Sequence, residues 1–331
     1  MADRPAILVT GGAGYIGSHC CRALDAAGYR PVCYDNFSTG HQSFVTGALV
    51  IGDIADKAAL ARAFAEHDIA AVMHFAASSL VGESVVDPQK YYVNNLAGTL
   101  ALLDVMRGAG CSRLVFSSTG AVYGNADSKA LSEDYPCVPI NPYGASKWMI
   151  ERVLADYRSA YGLGSFALRY FNASGADPAG GIGEQREVET HLIPRAMMAL
   201  QGHVADFAVF GDDYPTPDGT AIRDYIHVTD LATAHVLALK LLMTGHSGGV
   251  FNLGTGKGFS VREILAAIAT ETGRDVPHVV KPRRAGDPTY LVANASAAHK
   301  TLKFRPAYSD LATIVRTAWV WHQKAHPLKN G

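Results

Sequence analysis

An α/β fold, with a doubly wound parallel sheet carrying a smaller mixed α/β lobe, is predicted by three features of the sequence. Short apolar runs alternate with helical patterns through the first half. A glycine cluster sits where the first run gives way to the first helix. The regular alternation then loosens beyond about residue 172. Ala6 to Val9, Arg30 to Tyr34, Ala70 to Phe75, Arg113 to Ser117 and Ser165 to Arg169 read as buried strands. Amphipathic stretches at 17–28, 88–108 and 142–161 lie between them. Strand and helix in alternation give a parallel sheet with helices on both faces. Later stretches rich in Gly, Pro and Asp, at 174–186 and 211–220, are irregular connections of the kind that serve as binding loops. The expected division is a first domain over 1–172 with a return segment at about 225–255, and a second over 173–224 and 256–331.

Length supports two lobes, since 331 residues exceed a usual single core. With 29 basic and 30 acidic side chains, the chain has no global charge that would recruit nucleic acid or a membrane surface. No apolar run approaches the roughly 20 residues of a bilayer span, and the first residues lack a signal-peptide pattern. Cys20, Cys21, Cys33, Cys111 and Cys137 form no Cys-x-x-Cys pair. They read as packing thiols in a reduced, cytoplasmic setting, and no metal site is expected.

The strongest local signal is Thr10-Gly11-Gly12-Ala13-Gly14-Tyr15-Ile16-Gly17, which follows a strand and opens a helix. Glycine allows the tight turn and the close approach of backbone to a pyrophosphate, and the helix N-terminus supplies free N–H groups. Tyr15 and Ile16 fall within this turn. Asp35, 18 residues after Gly17, ends the second strand. A carboxylate there accepts ribose hydroxyls and repels a 2′-phosphate, which favours NAD over NADP. Asp53-Ile54 and Phe75-Ala76-Ala77 end further apolar stretches, where an open sheet presents its ligand crevice. The pattern is that of a Rossmann-type dinucleotide domain.

Asn141-Pro142-Tyr143-Gly144-Ala145-Ser146-Lys147 begins a helix, with Asn141 as cap and Pro142 in the first turn. Tyr143 and Lys147 stand at i and i+4 on one face. A free phenol titrates near 10, so acting as a base near pH 7 requires about 4 kcal/mol of differential stabilisation. The lysine ammonium and a cationic nicotinamide are the expected sources. Upstream, the strand through Ser117 runs into Ser118 and Thr119. Thr119 is placed to bond a reacting hydroxyl and relay its proton to Tyr143.

With these residues in place, the chain resembles the UDP-glucose 4-epimerase branch of the extended short-chain dehydrogenases/reductases over essentially its full length. The matching segments include TGGAGYIGSH at 10–19, HFAA at 74–77, FSSTGAVYG at 116–124 and NPYGASK at 141–147. They continue with LRYFNASGA at 168–176, VFGDDYPTPDGT at 209–220, RDYIHVTDLA at 223–232 and PRRAGDP at 282–288. The resemblance implies that Gly11, Gly14, Gly17, Asp35, Asn36, Asp53, Ile54, Phe75, Ala76, Asn94, Tyr143, Lys147 and Tyr170 surround NAD, with Ala77 and Ser117 beside them. It implies that Asn172, Leu192, Phe210, Arg223, Arg284 and Asp287 hold a UDP-hexose. The two arginines suit forked contacts with a diphosphate. The implied reaction inverts sugar C4 through a transient 4-keto sugar, interconverting UDP-glucose and UDP-galactose. A homodimer is also implied, with Tyr92, Leu96, Leu103, Trp148 and Tyr157 available either to that interface or to the protein's own core.

Departures from the family pattern carry information. Ser79 stands where many members have a lysine near the nicotinamide, so hydroxyl contacts are expected to substitute. His191 stands where Asn is common and is placed to donate to the diphosphate, or to be an ordinary loop histidine. Leu291 falls where members restricted to unacetylated sugars carry a large aromatic, which would admit UDP-GlcNAc and UDP-GalNAc. UDP-xylose and UDP-arabinose are alternative substrates. A nucleotide-sugar 4,6-dehydratase is disfavoured, since Gly120-Ala121 replaces the Asp-Glu that follows the catalytic Thr in such enzymes. A silent NAD-binding sensor or scaffold is the non-enzymatic rival, and it predicts loss of Tyr143, Lys147 or Thr119.

Overall fold

The computed structural model describes residues 4–284 and 286–327. The strands of the first half are β1 Ala6–Thr10, β2 Arg30–Asp35, β3 Ala48–Ile51, β4 Ile69–His74, β5 Arg113–Thr119, β6 Ser128–Leu131 and β7 Gly164–Tyr170. Those of the second are β8 Asn172–Ser174, β9 Ala208–Phe210, β10 Ile222–His227, β11 Gly248–Leu253, β12 Gly258–Ser260, β13 Val279–Lys281 and β14 Tyr290–Ala293.

Seven strands form one sheet in the order β3-β2-β1-β4-β5-β7-β11, every pair parallel. Along β1 successive side chains serve opposite cores. Ile7 and Val9 pack with Phe166, Leu168 and Leu239 on one face, and Ala6 and Leu8 pack with Val32, Leu102 and Phe116 on the other. Both faces are therefore covered, as the unbroken apolar strands require. Each fully buried Leu or Phe contributes roughly 1.5–3 kcal/mol of burial. The strand order reverses between β1 and β4, which opens a crevice at the carboxyl ends of the strands.

The second sheet is mixed, in the order β12-β10-β14-β6, with β8 also pairing β10. It packs with the helices Leu192–Leu200, Val261–Thr272 and Leu311–Ala325 around Met197, Phe207, Tyr225, Ile264 and Ile314. Strand β6 comes from the first half of the chain and joins this sheet through β14, so the chain crosses between the two units more often than composition suggests.

One local feature differs from the sequence reading. The helical stretch at 88–108 is interrupted, running Pro88–Tyr91, a wide π-turn at Tyr92–Ala97, then Gly98–Gly108. Such turns cluster at functional sites. Of the apolar residues left open between a dimer face and the core, Leu103 is buried in the protein's own core, Leu96 and Tyr157 pack against that core, and Trp148 packs against another cluster. Large apolar or aromatic side chains exposed on the same stretches include Val93, Leu100, Met149 and Tyr161. All five cysteines are free thiols and four are buried. Among the described residues, no helix is long and apolar enough to cross a membrane.

Candidate active site

The glycine turn is built for close approach. Gly11 has φ of 71°, and a Cβ there would lie 2.7 Å from the amide nitrogen of Ala76. A Cβ on Gly17 would sit 2.1 Å from the carbonyl oxygen of Gly11. The helix Tyr15–Ala26 starts at Gly14 with no side-chain cap, leaving its first N–H groups for an anion. Tyr15 turns its phenol away from the turn to donate to the carbonyl of Gly175 at 2.6 Å, and Ile16 packs against the core.

Asp35 is buried at the end of β2, where Ala13 N–H donates to Oδ2 at 2.9 Å and Phe37 N–H to Oδ1 at 2.8 Å. Two amides fix the carboxylate while lone pairs remain for ribose hydroxyls. Asn36 donates to the Asp53 carboxylate at 2.8 Å, and Ile54 packs against the place a Gly98 side chain would occupy. The amides of Phe75 and Ala76 both donate to the Thr10 carbonyl, at 2.9 and 3.0 Å. That pinches β1 and β4 together beside Ala77. Phe75 itself directs its ring to His235, with centroids 4.9 Å apart. In the π-turn, the buried side chain is Asn95. Its Oδ1 accepts from Ser78 N–H at 2.8 Å and from Asn94 Nδ2 at 2.9 Å. Asn94, the residue named from the sequence, is half-buried beside it.

Three turns of the helix Pro142–Tyr161 meet three consecutive residues of β5. Lys147 Nζ donates to the Ser117 carbonyl at 2.9 Å, Ser118 Oγ donates to Glu151 at 2.5 Å, and the Thr119 hydroxyl bonds the Tyr143 phenol. Asn141 caps the helix, accepting from Gly144 N–H at 2.8 Å. Beyond the stripe, Glu151 pairs with buried Arg169, which donates to Tyr123, which in turn donates to Asn252. Ser117 Oγ and the Tyr170 hydroxyl share a short hydrogen bond.

The electrostatics sharpen one expectation. Burial pushes the Tyr143 phenol up, against the lowering effects of Thr119 and of Arg186. Burial also lowers Lys147 to about 7. Lys147 is aimed at the Ser117 carbonyl, and the net effect of the surroundings is to hold the phenol above its ordinary value.

On the second unit, Arg284 lies over the Phe210 ring, 3.9 Å from its centroid. Arg223 pairs with Asp287 at 3.5 Å and donates to the Pro288 carbonyl at 2.8 Å. Asn172 donates to the Asp224 carbonyl at 3.2 Å. Leu192 opens the helix Leu192–Leu200, whose cap His191 makes no side-chain capping bond. Instead, His191 Nδ1 lies 2.7 Å from Glu184, whose charge raises the imidazole pKa. Glu184, Glu189 and His191 have ligand atoms within 4.8 Å of one another, but Glu184 is already held by His191 and by Arg186 at 2.8 Å.

The profile of the NAD dependent epimerase/dehydratase family matches residues 7–254. A UDP-glucose 4-epimerase of Rhizobium leguminosarum bv. trifolii is 51% identical over 97% of this chain and 98% of its own. The chain belongs to the NAD-dependent epimerase/dehydratase family. The crystal structure of UDP-glucose 4-epimerase from Brucella ovis in complex with NAD superposes with a TM-score of 0.93 at 54% identity, covering 95% of this chain and 97% of that one. A UDP-glucose-4-epimerase from Stenotrophomonas maltophila with bound NAD and formylated UDP-arabinopyranose gives 0.94 at 41% identity, covering 97% and 98%.

This epimerase family member uses NAD, and its own residues fit that group. The Gly11 and Gly17 cradle has no room for a side chain, the helix start is uncapped, and Asp35 is a buried carboxylate at the end of β2. Sequence reasoning missed Glu151, Asn95 and Arg186. The spacing Tyr143, Lys147, Glu151 signals the first, because the three are four residues apart on one helix face. Arg186 carries no such signal, since only the folded loop brings it to Ser79.

Proposed function

We propose that this enzyme interconverts UDP-glucose and UDP-galactose by inversion at sugar C4. The observation that carries the reading is the packing of Tyr143, Lys147 and Thr119 at the carboxyl end of β5, beside the dinucleotide crevice. NAD, when bound, supplies a reversible acceptor for the C4 hydride. Tyr143 takes the proton of the C4 hydroxyl, directly or through Thr119, and later returns it. Lys147 holds the site's positive field and Ser117 orients its ammonium. Arg223, Arg284, Asp287, Phe210, Asn172 and the Leu192 helix start hold the nucleotide, so that the 4-keto sugar can turn over while its anchor stays fixed. Incubation with UDP-galactose, with no cofactor added, is expected to yield UDP-glucose; an unchanged sugar nucleotide would remove this reading.

The presence of Tyr143, Lys147 and Thr119 disfavours a silent NAD sensor or scaffold. UDP-arabinose is a second substrate reading, favoured by the sugar nucleotide bound in the Stenotrophomonas relative. Leu291, in register with Arg223, supports acceptance of UDP-GlcNAc and UDP-GalNAc. We further propose a cytoplasmic homodimer joined through Val93, Leu100 and Met149. Light scattering showing only monomer would contradict that assembly.

A further inference from the structure

One buried ion pair grips the end of β5 on both sides of Thr119. Thr119 caps a short helical turn, Gly120–Tyr123, so Ser118 precedes it and Tyr123 closes the turn after it. Ser118 Oγ donates to Glu151 at 2.5 Å. Arg169 Nη1 donates to the Tyr123 hydroxyl at 2.9 Å. Glu151 and Arg169 are themselves joined through Arg169 Nε at 2.9 Å and Nη2 at 2.5 Å. The last member fixes the direction of the bonds. Asn252 Nδ2 donates to the Leu131 carbonyl at 2.8 Å, and its Oδ1, 2.7 Å from the Tyr123 hydroxyl, is an acceptor. Tyr123 therefore gives its proton to Asn252 and takes one from Arg169. Ser118, Tyr123, Glu151, Arg169 and Asn252 are all buried. Replacing such a set by apolar side chains is often neutral for stability, which directs attention to what the set holds in place.

The turn lies against the helix that carries Tyr143. A Cβ on Gly144 would be 2.6 Å from the Ala121 carbonyl oxygen, and one on Gly120 would be 2.8 Å from the Phe171 ring. Tyr123 stacks on that same ring, with centroids 6.3 Å apart. Within the turn, Ala121 N–H donates to Thr119 Oγ1 at 3.1 Å. That leaves the hydroxyl proton of Thr119 for its bond to the Tyr143 phenol. We propose that Tyr123 is a positioning residue for catalysis: backed by Asn252, it holds the turn so that Ala121 keeps the Thr119 hydroxyl directed at Tyr143. The inference rests on the reading of Thr119 and Tyr143 as the groups that move the C4 proton. Tyr123 acts through Thr119 and not on the sugar.

The test compares Tyr123→Phe, Thr119→Ala and the double variant with the parent, all as NAD-loaded full chains. Phenylalanine keeps the ring on Phe171 but takes no bond from Arg169 and gives none to Asn252. Thermal midpoints should therefore fall whether residue 119 is Thr or Ala. Turnover should follow a different pattern. With Thr119 present, Tyr123→Phe should lower kcat for UDP-galactose roughly tenfold and leave KM within about twofold. In the Thr119→Ala background the same change should cost less than about twofold, because the group through which Tyr123 acts is gone. Conversion followed over hours by chromatography of the sugar nucleotides keeps the slow variants measurable. The Thr119 methyl resonance in 13C-threonine-labelled protein, assigned by its absence in Thr119→Ala, should move in Tyr123→Phe. Equal losses of kcat in the two backgrounds, or an unmoved methyl resonance, would overturn the proposal and leave Tyr123 with a role in stability alone. Failure of the parent to convert UDP-galactose would instead count against the epimerase reading, while the methyl resonance would still judge the hold on Thr119.

Discussion

Lys147 Nζ sits 2.9 Å from the carbonyl oxygen of Ser117, which commits the lysine to the backbone of β5 rather than to the phenol one turn before it. Tyr143 and Glu151 flank it on the same helix face and bond Thr119 and Ser118. Helix and strand are therefore joined at three places, with Tyr143 at Thr119, Lys147 at Ser117 and Glu151 at Ser118. Glu151 is the member of this array farthest along the helix, and it also pairs with Arg169.

Replacing Tyr143 by Phe should lower UDP-galactose turnover by about 10²–10⁴-fold, the usual worth of a positioned acid–base group. Retention of NAD should change little, because the ring still packs in place. Full activity in this variant would revive the scaffold reading.

Lys147→Met should separate stability from activity. Burial lowers the lysine pKa from its usual 10.5 to about 7. Between those values the unfolded chain binds more protons than the folded one, so the parent gains stability as pH rises through this window. The variant lacks that slope. It should be the more stable protein, by on the order of 1 kcal/mol once the lost bond to Ser117 is counted. That margin should be visible in thermal melts at about pH 6.5 and reverse by about pH 9.5, while epimerisation collapses. A variant that is equally destabilised at both pH values would show that the ammonium stabilises the fold.

Glu151→Gln should destabilise strongly. Arg169 and Glu151 are both buried, and removing one charge strands the other, at a cost of about 3–5 kcal/mol. Urea unfolding measures the loss. The double variant Glu151→Met with Arg169→Met should recover most of it, because an apolar pair leaves no charge unpaired. Recovery of stability without recovery of kcat would assign the pair to positioning Thr119 through Ser118.

Gly17→Ala tests the cofactor turn. The new methyl would lie 2.1 Å from the Gly11 carbonyl oxygen, with Gly12 Cα 3.0 Å away. The turn must open, and NAD retained through gel filtration should fall by at least about tenfold, equivalent to roughly 1.4 kcal/mol. Undiminished retention would place the pyrophosphate elsewhere.

The parallel sheet was legible because both of its faces are buried, so its strands are unbroken apolar runs, and Gly11 and Asp35 mark its ligand edge directly. The dinucleotide turn and the Tyr143–Lys147 pair follow from local spacing. What spacing alone leaves open is long-range. Arg186 reaches Ser79 across 107 positions, and Arg169 completes Glu151 only when β7 pairs with β5. Strand ends were also underestimated, since Thr119 and Tyr170 are paired in register at the end of the ladder although their side chains are polar.

A Leu291→Tyr variant tests the reading on sugar choice. Leu291 lies on β14 in register with Arg223 of β10, and packs against the cluster of Val122, Tyr123, Ala126 and Leu131 at the edge of the catalytic strand. A tyrosine at this position is larger than the leucine, and an N-acetyl group is bulkier than a hydroxyl. Leu291→Tyr should therefore reduce kcat/KM for UDP-GlcNAc by at least about tenfold while UDP-galactose changes only a few-fold, in line with steric discrimination in a packed pocket. Parallel steady-state assays with both sugars measure the ratio. An equal loss on the two would mean the ring disturbs Arg223 and the nucleotide anchor instead. Absence of UDP-GlcNAc turnover in the parent would mean that another side chain closes the pocket.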